Sequence, residues 1–312
     1  MKIAVIGAGA MGSLFGAYLA GGGHQVALVD VWREHVEMIN KQGLRIEEKS
    51  GEKIVSLTAE KDTRNLGAQD LVIIFVKSYN TADAVNTARN LFTESTVILT
   101  LQNGLGNAEI IADTVRNATV LAGTTAHGAT VLGPGYIRHA GVGETIIGIY
   151  KGAGDRRVHD IADTFTNCGI KTRVVDDIAS QLWGKLLINI GINPLTALLN
   201  VTNGRLVEYD ATCALMQMLV SEGEAVARAG GINIPYADVL EKVKQVAVAT
   251  GTNRSSMLQD LDKGGRTEID FINGAVVREG AKLGISTPYN EMVTQLIKAV
   301  EAIREFNVNN KQ

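Results

Sequence analysis

Lys185, Asn189 and Asn193 recur every four residues in Trp183-Gly184-Lys185-Leu186-Leu187-Ile188-Asn189-Ile190-Gly191-Ile192-Asn193-Pro194-Leu195. On a helix they form one polar stripe along an otherwise apolar surface. Unpartnered buried polar groups cost on the order of 1–3 kcal/mol each, so the stripe needs either other protein groups or a polar ligand. A lysine in such a place can stabilise and protonate an oxygen on which negative charge builds. Pro194 is expected to end or kink the helix near the last member. A second polar set lies at Ser255-Ser256-Met257-Leu258-Gln259-Asp260 and at Thr267 to Gly274, where Glu268 falls at a helix start. Standing alone, that glutamate reads equally as a cap or as a surface partner of Arg266 or Lys263.

Gly7-Ala8-Gly9-Ala10-Met11-Gly12 has the G-x-G-x-x-G spacing, and it directly follows the β-branched run Lys2 to Ile6 and opens a helical stretch from Met11 to Ala20. Gly7 allows the tight turn, Gly9 lets the backbone approach a pyrophosphate and Gly12 lets helix and strand pack closely, while the helix N-terminus supplies N–H donors. Gly21-Gly22-Gly23 stops the helix, and Gln25 to Asp30 reads as the next strand. Asp30, about twenty residues beyond the glycines, can accept hydrogen bonds from an adenosine ribose, which favours NAD over NADP. Arg33 can swing toward a 2′-phosphate, so NADP stays open as a cofactor.

Such a motif needs a parallel sheet behind it. Leu71 to Val76 and Val97 to Leu101 supply further strands, separated by helical stretches at Ala82 to Leu91 and Ala108 to Arg116. Lys77 and Asn103 follow these strands, at the carboxyl ends where ligands of open α/β sheets bind; taken alone they read as a solvated lysine and a turn-forming asparagine. From Thr119 to Tyr150 the chain is glycine-rich and strand-like around Gly133-Pro134-Gly135, which predicts antiparallel strands added to the sheet's edge, and Lys171 to Val175 reads as a last strand. Beyond about Asp177, helical periodicity dominates at 180–200, 208–230, 236–250, 266–283 and 289–306. The expected architecture is α/β, a Rossmann-type doubly wound and mainly parallel sheet with antiparallel edge strands over 1–176, then an all-α domain over 177–312.

The 312 residues suffice for two cores. A formal charge of −3 gives no general attraction to nucleic acid or to a membrane surface. Cys168 and Cys213 show neither disulfide nor metal-type spacing, and no targeting signal is evident, so a reducing cytoplasm and a metal-free site are expected. His24, His127 and His139 have no partner visible in the sequence and are read as structural.

These motifs together resemble the ketopantoate reductases, or 2-dehydropantoate 2-reductases, along essentially the whole chain. The resemblance rests on Gly7 to Gly12, Lys77, Asn103 in Gln102-Asn103-Gly104-Leu105-Gly106, the Lys185, Asn189 and Asn193 stripe, and Ser255 to Asp260 followed by Glu268. It implies a dehydrogenase in which Lys185 is the general acid and Glu268 helps organise it. Asn103, Asn189, Asn193 and Ser256 then hold the carboxylate and hydroxyl groups of a small 2-keto acid, and Lys77 and Asn103 sit beside the cofactor held by Gly7, Gly9, Ala10, Met11, Gly12 and Asp30. Partial burial would lower the lysine pKa and Glu268 would raise it again. One departure stands out: NADP-using members carry a basic side chain just after the second strand, whereas this chain has Asp30 followed by Val31. The expectation is therefore an NAD-preferring enzyme similar to the D-2-hydroxyacid dehydrogenases of the family, the D-mandelate dehydrogenase branch, acting on branched or aromatic 2-keto acids. An NADPH-dependent 2-dehydropantoate 2-reductase of pantothenate biosynthesis is the alternative. A dinucleotide-sensing protein without turnover fits poorly with an intact Lys185 and Glu268, and a reductase of phosphorylated polyols would want clustered basic residues. By analogy with the family, a homodimer through the helical domain is expected.

Overall fold

A computed structural model describes residues 1–115, 118–152 and 156–309. The chain forms two compact units, Met1–Gln102 with Asn107–Ile178, and Asn103–Gly106 with Ala179–Gln312. The first opens with β1 (Lys2–Ile6), α1 (Ala10–Gly21) and β2 (Gln25–Val29). Apart from their first residues both strands are buried throughout, which is why their sequences are continuous apolar runs rather than alternations. There follow α2 (Arg33–Gln42), β3 (Leu44–Glu48), β4 (Gly51–Val55), β5 (Thr58–Glu60), β6 (Leu71–Ile74), α3 (Thr81–Thr87), β7 (Val97–Thr100) and α4 (Asn107–Thr114). The unit closes with β8 (Thr119–Thr125), β9 (Gly128–Gly133), β10 (Tyr136–Gly141), β11 (Thr145–Lys151), α5 (Arg156–Asn167) and β12 (Thr172–Val174). Arg116, the expected end of the fourth helix, lies outside the described residues.

Eight strands make one sheet in the order β12-β11-β8-β7-β6-β1-β2-β5. From β8 to β5 every pairing is parallel, and β11 joins β8 antiparallel. The chain winds from β1 toward β2, then returns to the other side of β1 at β6, so the switch point lies between β1 and β6, outside whose carboxyl ends such sheets bind ligands. The 119–150 region departs from a simple edge extension. β9 and β10 leave the large sheet and build a second one in the order β4-β3-β10-β9. In β3 the alternation Leu44-Arg45-Ile46-Glu47, with Leu44 and Ile46 fully buried, gives this small sheet its apolar face.

The second unit is helical: α6 (Ile178–Leu199), α7 (Asp210–Ala229), α8 (Val239–Ala249), α9 (Ser256–Asp262), α10 (Asn273–Leu283) and α11 (Pro288–Asn309). Its core gathers Leu186, Leu187 and Ile190 of α6 with Leu219, Val220, Val276 and Ile297. α6 is long and apolar enough to cross a membrane, yet most of its apolar stretch is buried inside the protein, as in a central core helix.

Two expectations fail in this unit. The helix expected over 266–283 is a short 3-10 turn, Ile269–Phe271, followed by α10. And of the two outcomes expected at Pro194, an end or a kink, the end does not occur: α6 runs on to Leu199. A proline lacks the N–H that would bond the carbonyl four residues back, at Ile190. Asn273 supplies a replacement donor, its Nδ2 reaching that carbonyl at 3.3 Å, and Asn273 is itself held by Asn290 Oδ1 at 2.9 Å.

Candidate active site

The turn after β1 is built to leave the start of α1 open. A Cβ at Gly7, whose φ is +97°, would come within 2.5 Å of the Val76 nitrogen, and one at Gly12 within 1.9 Å of the Gly7 oxygen. Both glycines are therefore demanded by the protein's own packing. Gly9 is not: a Cβ there would meet nothing within 4 Å. Ser13 N–H makes the helical bond to Gly9 C=O at 2.9 Å, so the N–H groups of Ala10, Met11 and Gly12 precede the first helical donor and can serve a ligand. The positive end of the helix dipole adds attraction for an anion. Asp30 closes the turn from the other side, its Oδ2 accepting Ala8 N–H at 2.7 Å and its Oδ1 accepting Trp32 N–H at 2.9 Å. The cradle thus fits a dinucleotide, pyrophosphate at the helix and ribose at Asp30. Gly9→Ala should leave unfolding within about 0.5 kcal/mol of wild type but weaken dinucleotide binding about tenfold, ~1.4 kcal/mol. Calorimetric unfolding and fluorescence titration read the two effects separately, and unchanged binding would contradict this use of the loop.

On the other side of the switch point, β6 leads into Phe75, Val76 and the half-buried Lys77, which precedes the 3-10 turn Ser78–Asn80. A buried network fixes this approach. Gln102 Nε2 donates to Val76 C=O at 2.6 Å, Thr100 Oγ1 to Gln102 Oε1 at 2.9 Å, and Asn107 Nδ2 to Ser78 Oγ at 3.1 Å. Gln102, Asn107 and Thr81 carry no sequence signal beyond being polar near strand ends, and sequence reasoning did not single them out.

In the helical unit the stripe on α6 is as the spacing predicts: Lys185 and Asn189 are partly buried and Asn193 is buried. Glu268 is only 7% exposed, and its carboxylate acts electrostatically on Lys185. It is not a surface glutamate, and Arg266 instead pairs with Asp270 at 3.2 Å. Burial pushes the Lys185 ammonium down to about 8, with Glu268 opposing the shift. Asn103 joins this unit because Gly104, at φ +82°, lies flush on the 268–271 turn: a Cβ there would sit 2.2 Å from the Phe271 oxygen, and Leu105 N–H donates to that same oxygen at 2.9 Å. The two adjacent serines divide their work. Ser255 is buried and caps α9, accepting Leu258 N–H at 3.1 Å and lying 2.7 Å from Thr196 Oγ1, three residues past Asn193. Ser256 is exposed beside it.

The three histidines singled out in the sequence belong to the first unit. His24 lies at the amino terminus, while His127 Nδ1 and His139 Nε2 are 3.1 Å apart, with His139 Nδ1 3.3 Å from Tyr18 OH. Among the described residues no group of three or more His, Cys, Asp or Glu side chains is arranged to hold a metal ion.

A helix N-terminus at the switch point of a doubly wound sheet can hold a dinucleotide, and a lysine of lowered pKa has the chemistry of a proton donor for carbonyl reduction. That is the organisation of an NAD(P)-dependent oxidoreductase. Residues 3–152 match the family profile described as ketopantoate reductase PanE/ApbA, and residues 177–301 match that of its C-terminal part. The chain belongs to the ketopantoate reductase family. It is 40% identical to the 2-dehydropantoate 2-reductase of Halobacterium salinarum over 96% of this chain and 99% of that one. With the enzyme of the same description from Pyrococcus horikoshii the identity is 38%, over 97% and 98%. Among solved structures, the PanE/ApbA family ketopantoate reductase of Ralstonia eutropha superposes with a TM-score of 0.91 at 34% identity, covering 98% of this chain and all 100% of that one. D-mandelate dehydrogenase, solved with NADH and anilino(oxo)acetate, superposes with a TM-score of 0.91 at 30% identity, covering 98% and 100%.

Proposed function

We propose that this protein reduces 2-dehydropantoate to its 2-hydroxy acid and takes the hydride from NADH in preference to NADPH. The observation that carries the reaction type is the α6 stripe, an ammonium lowered to about 8 on the same helix face as two carboxamides. Bound NADH supplies the hydride for the keto carbon. Lys185 Nζ donates a hydrogen bond to the keto oxygen, stabilises the charge that builds there and passes it a proton. The lowered pKa makes that proton easier to give than an ordinary lysine's, and Glu268 keeps the group largely charged near neutrality. Asn103, Asn189, Asn193 and Ser256 bind the carboxylate and hydroxyl oxygens of the substrate, and Lys77 lies against the cofactor.

For the substrate, relatives at 40% and 38% identity over nearly their full lengths favour 2-dehydropantoate over the branched or aromatic acid expected from residue 30. The mandelate-type reading is supported by the likeness to D-mandelate dehydrogenase, at 30% identity. For the cofactor the support is Asp30. A 2′-phosphate near this carboxylate is repelled by about 1 kcal/mol or more, roughly a fivefold preference for NADH. We also read the protein as a cytoplasmic homodimer of its 33.2 kDa chain, by analogy with the family.

Initial rates with NADH and NADPH, each offered 2-dehydropantoate, 2-ketoisovalerate and benzoylformate, decide among these readings. The highest kcat/KM is expected for NADH with 2-dehydropantoate. A marked NADPH preference would overturn the cofactor assignment, and benzoylformate as the best substrate would move the protein to the mandelate-type reading.

A further inference from the structure

Behind the glycine turn lies a fully buried histidine, His35 of α2, in a row of hydrogen bonds whose directions can all be deduced. Gly135 N–H, in the turn between β9 and β10, donates to His35 Nδ1 at 3.0 Å, so that nitrogen carries a lone pair. In the neutral ring the proton then sits on Nε2, which lies 3.2 Å from Ser13 Oγ. Ser13 in turn donates to Ala8 C=O at 2.7 Å, and Ala8 N–H donates to Asp30 Oδ2 at 2.7 Å. Ser13 and His35 are both 0% exposed, and the Trp32 ring stacks on the imidazole at a centroid distance of 4.9 Å and 12°. With the tautomer fixed by Gly135 N–H, the row runs from the small sheet through α1 to the glycine turn and the ribose carboxylate, and the ring also acts on the Ala8 backbone directly.

We propose that His35 is a positioning residue for the dinucleotide, holding the Ala8 peptide and, through it, Asp30 in binding geometry only while its ring is neutral. The inference rests on the proposed dinucleotide site. A second proton would go onto Nδ1, setting N–H against the Gly135 N–H at 3.0 Å, two donors with no acceptor between them. The charged group facing the ring is Asp30 at the end of β2; α1 presents Ser13, and the β9–β10 turn presents backbone. Burial lowers the ring's pKa from that of free histidine and outweighs the opposing effects of Asp30 and of a hydrogen bond to the Ala8 backbone. The neutral form is thus favoured in the fold, and its contribution is fully present above the free-histidine pKa and lost as pH falls through the lowered pKa of the folded ring.

Two substitutions separate the role from folding. Ser13→Ala removes the link to Ala8 and leaves His35 in place. His35→Asn keeps an acceptor for Gly135 N–H, loses the donor to Ser13 and cannot titrate. NADH binding, followed by its fluorescence, is expected to weaken about fivefold in both at pH 7.5, with kcat at saturating NADH within twofold of wild type. As pH is lowered from 7.5 through the ring's own pKa, which lies below that of free histidine, wild type should lose at least threefold more affinity than His35→Asn. Equal Kd in wild type and in folded Ser13→Ala, or the same acid weakening in His35→Asn as in wild type, overturns the proposal. If the wild type bound neither NADH nor NADPH, the dinucleotide site itself would fall and this inference with it.

Discussion

Lys185→Ala is expected to lower kcat about 10²- to 10⁴-fold, the usual loss when a positioned proton donor is removed, while NADH affinity stays within about twofold, ~0.4 kcal/mol. The split follows from where the residue stands: on α6 in the helical unit, away in sequence from the turn after β1 that would hold the dinucleotide. An ammonium at about 8 also sets the pH dependence. Reduction needs the charged form, so kcat/KM for the keto acid should be level on the acid side and fall as pH rises through about 8, and oxidation of the hydroxy acid should show the opposite trend. Glu268 raises the lysine's pKa, so Glu268→Gln should move the falling limb toward lower pH. A profile that stays level to pH 10 in wild type would remove Lys185 as the acid.

The second large effect is on stability. Gly12→Ala places a Cβ 1.9 Å from the Gly7 oxygen and 3.2 Å from Val5 Cγ1, with backbone on one side and a buried strand residue on the other. Neither neighbour can yield cheaply. The expected cost is about 3 kcal/mol, which for a chain of this size lowers Tm by roughly 6–12 °C. Gly9→Ala in the same turn should cost almost nothing, because its Cβ points into open space. The pair distinguishes the glycine that the fold needs from the one that the ligand needs. A Gly12→Ala protein that unfolds with the wild type would show that α1 can slide away from β1.

Periodicity and motif spacing were enough to read the switch-point sheet, because β1, β2, β6 and β7 are short apolar runs covered on both faces and each is followed by a turn signal. They also placed the α6 stripe, since spacing by four survives whatever else the helix does. What they missed depends on partners distant in sequence. Pro194 looks like a helix end until Asn273, seventy-nine positions on, is seen to serve the orphaned Ile190 carbonyl. The small sheet pairs β3 with β10 across about ninety residues, and nothing local in Leu44 to Val55 announces that partner. Glu268, read locally, is a cap or a surface partner of Arg266 or Lys263, because burial is a property of the assembled unit. Gln102 and His35 act through backbone groups, the Val76 carbonyl and the Gly135 amide, and such acceptors and donors leave no mark in a sequence. The carboxylate at position 30 was legible as a charge, whereas the acid preferred as substrate was not, since side-chain packing sets the shape that receives it.

The central claim is that hydride passes from a bound nicotinamide to the C2 carbon of a 2-keto acid within this chain. It is tested most directly by incubating the protein with 2-dehydropantoate and NADH deuterated at both C4 positions, then examining the product by mass spectrometry and NMR. One deuterium is expected at C2 of the 2-hydroxy acid for each NADH oxidised, and next to none with Lys185→Ala over the same time. Product lacking deuterium at C2, or full conversion by the alanine variant, would contradict it.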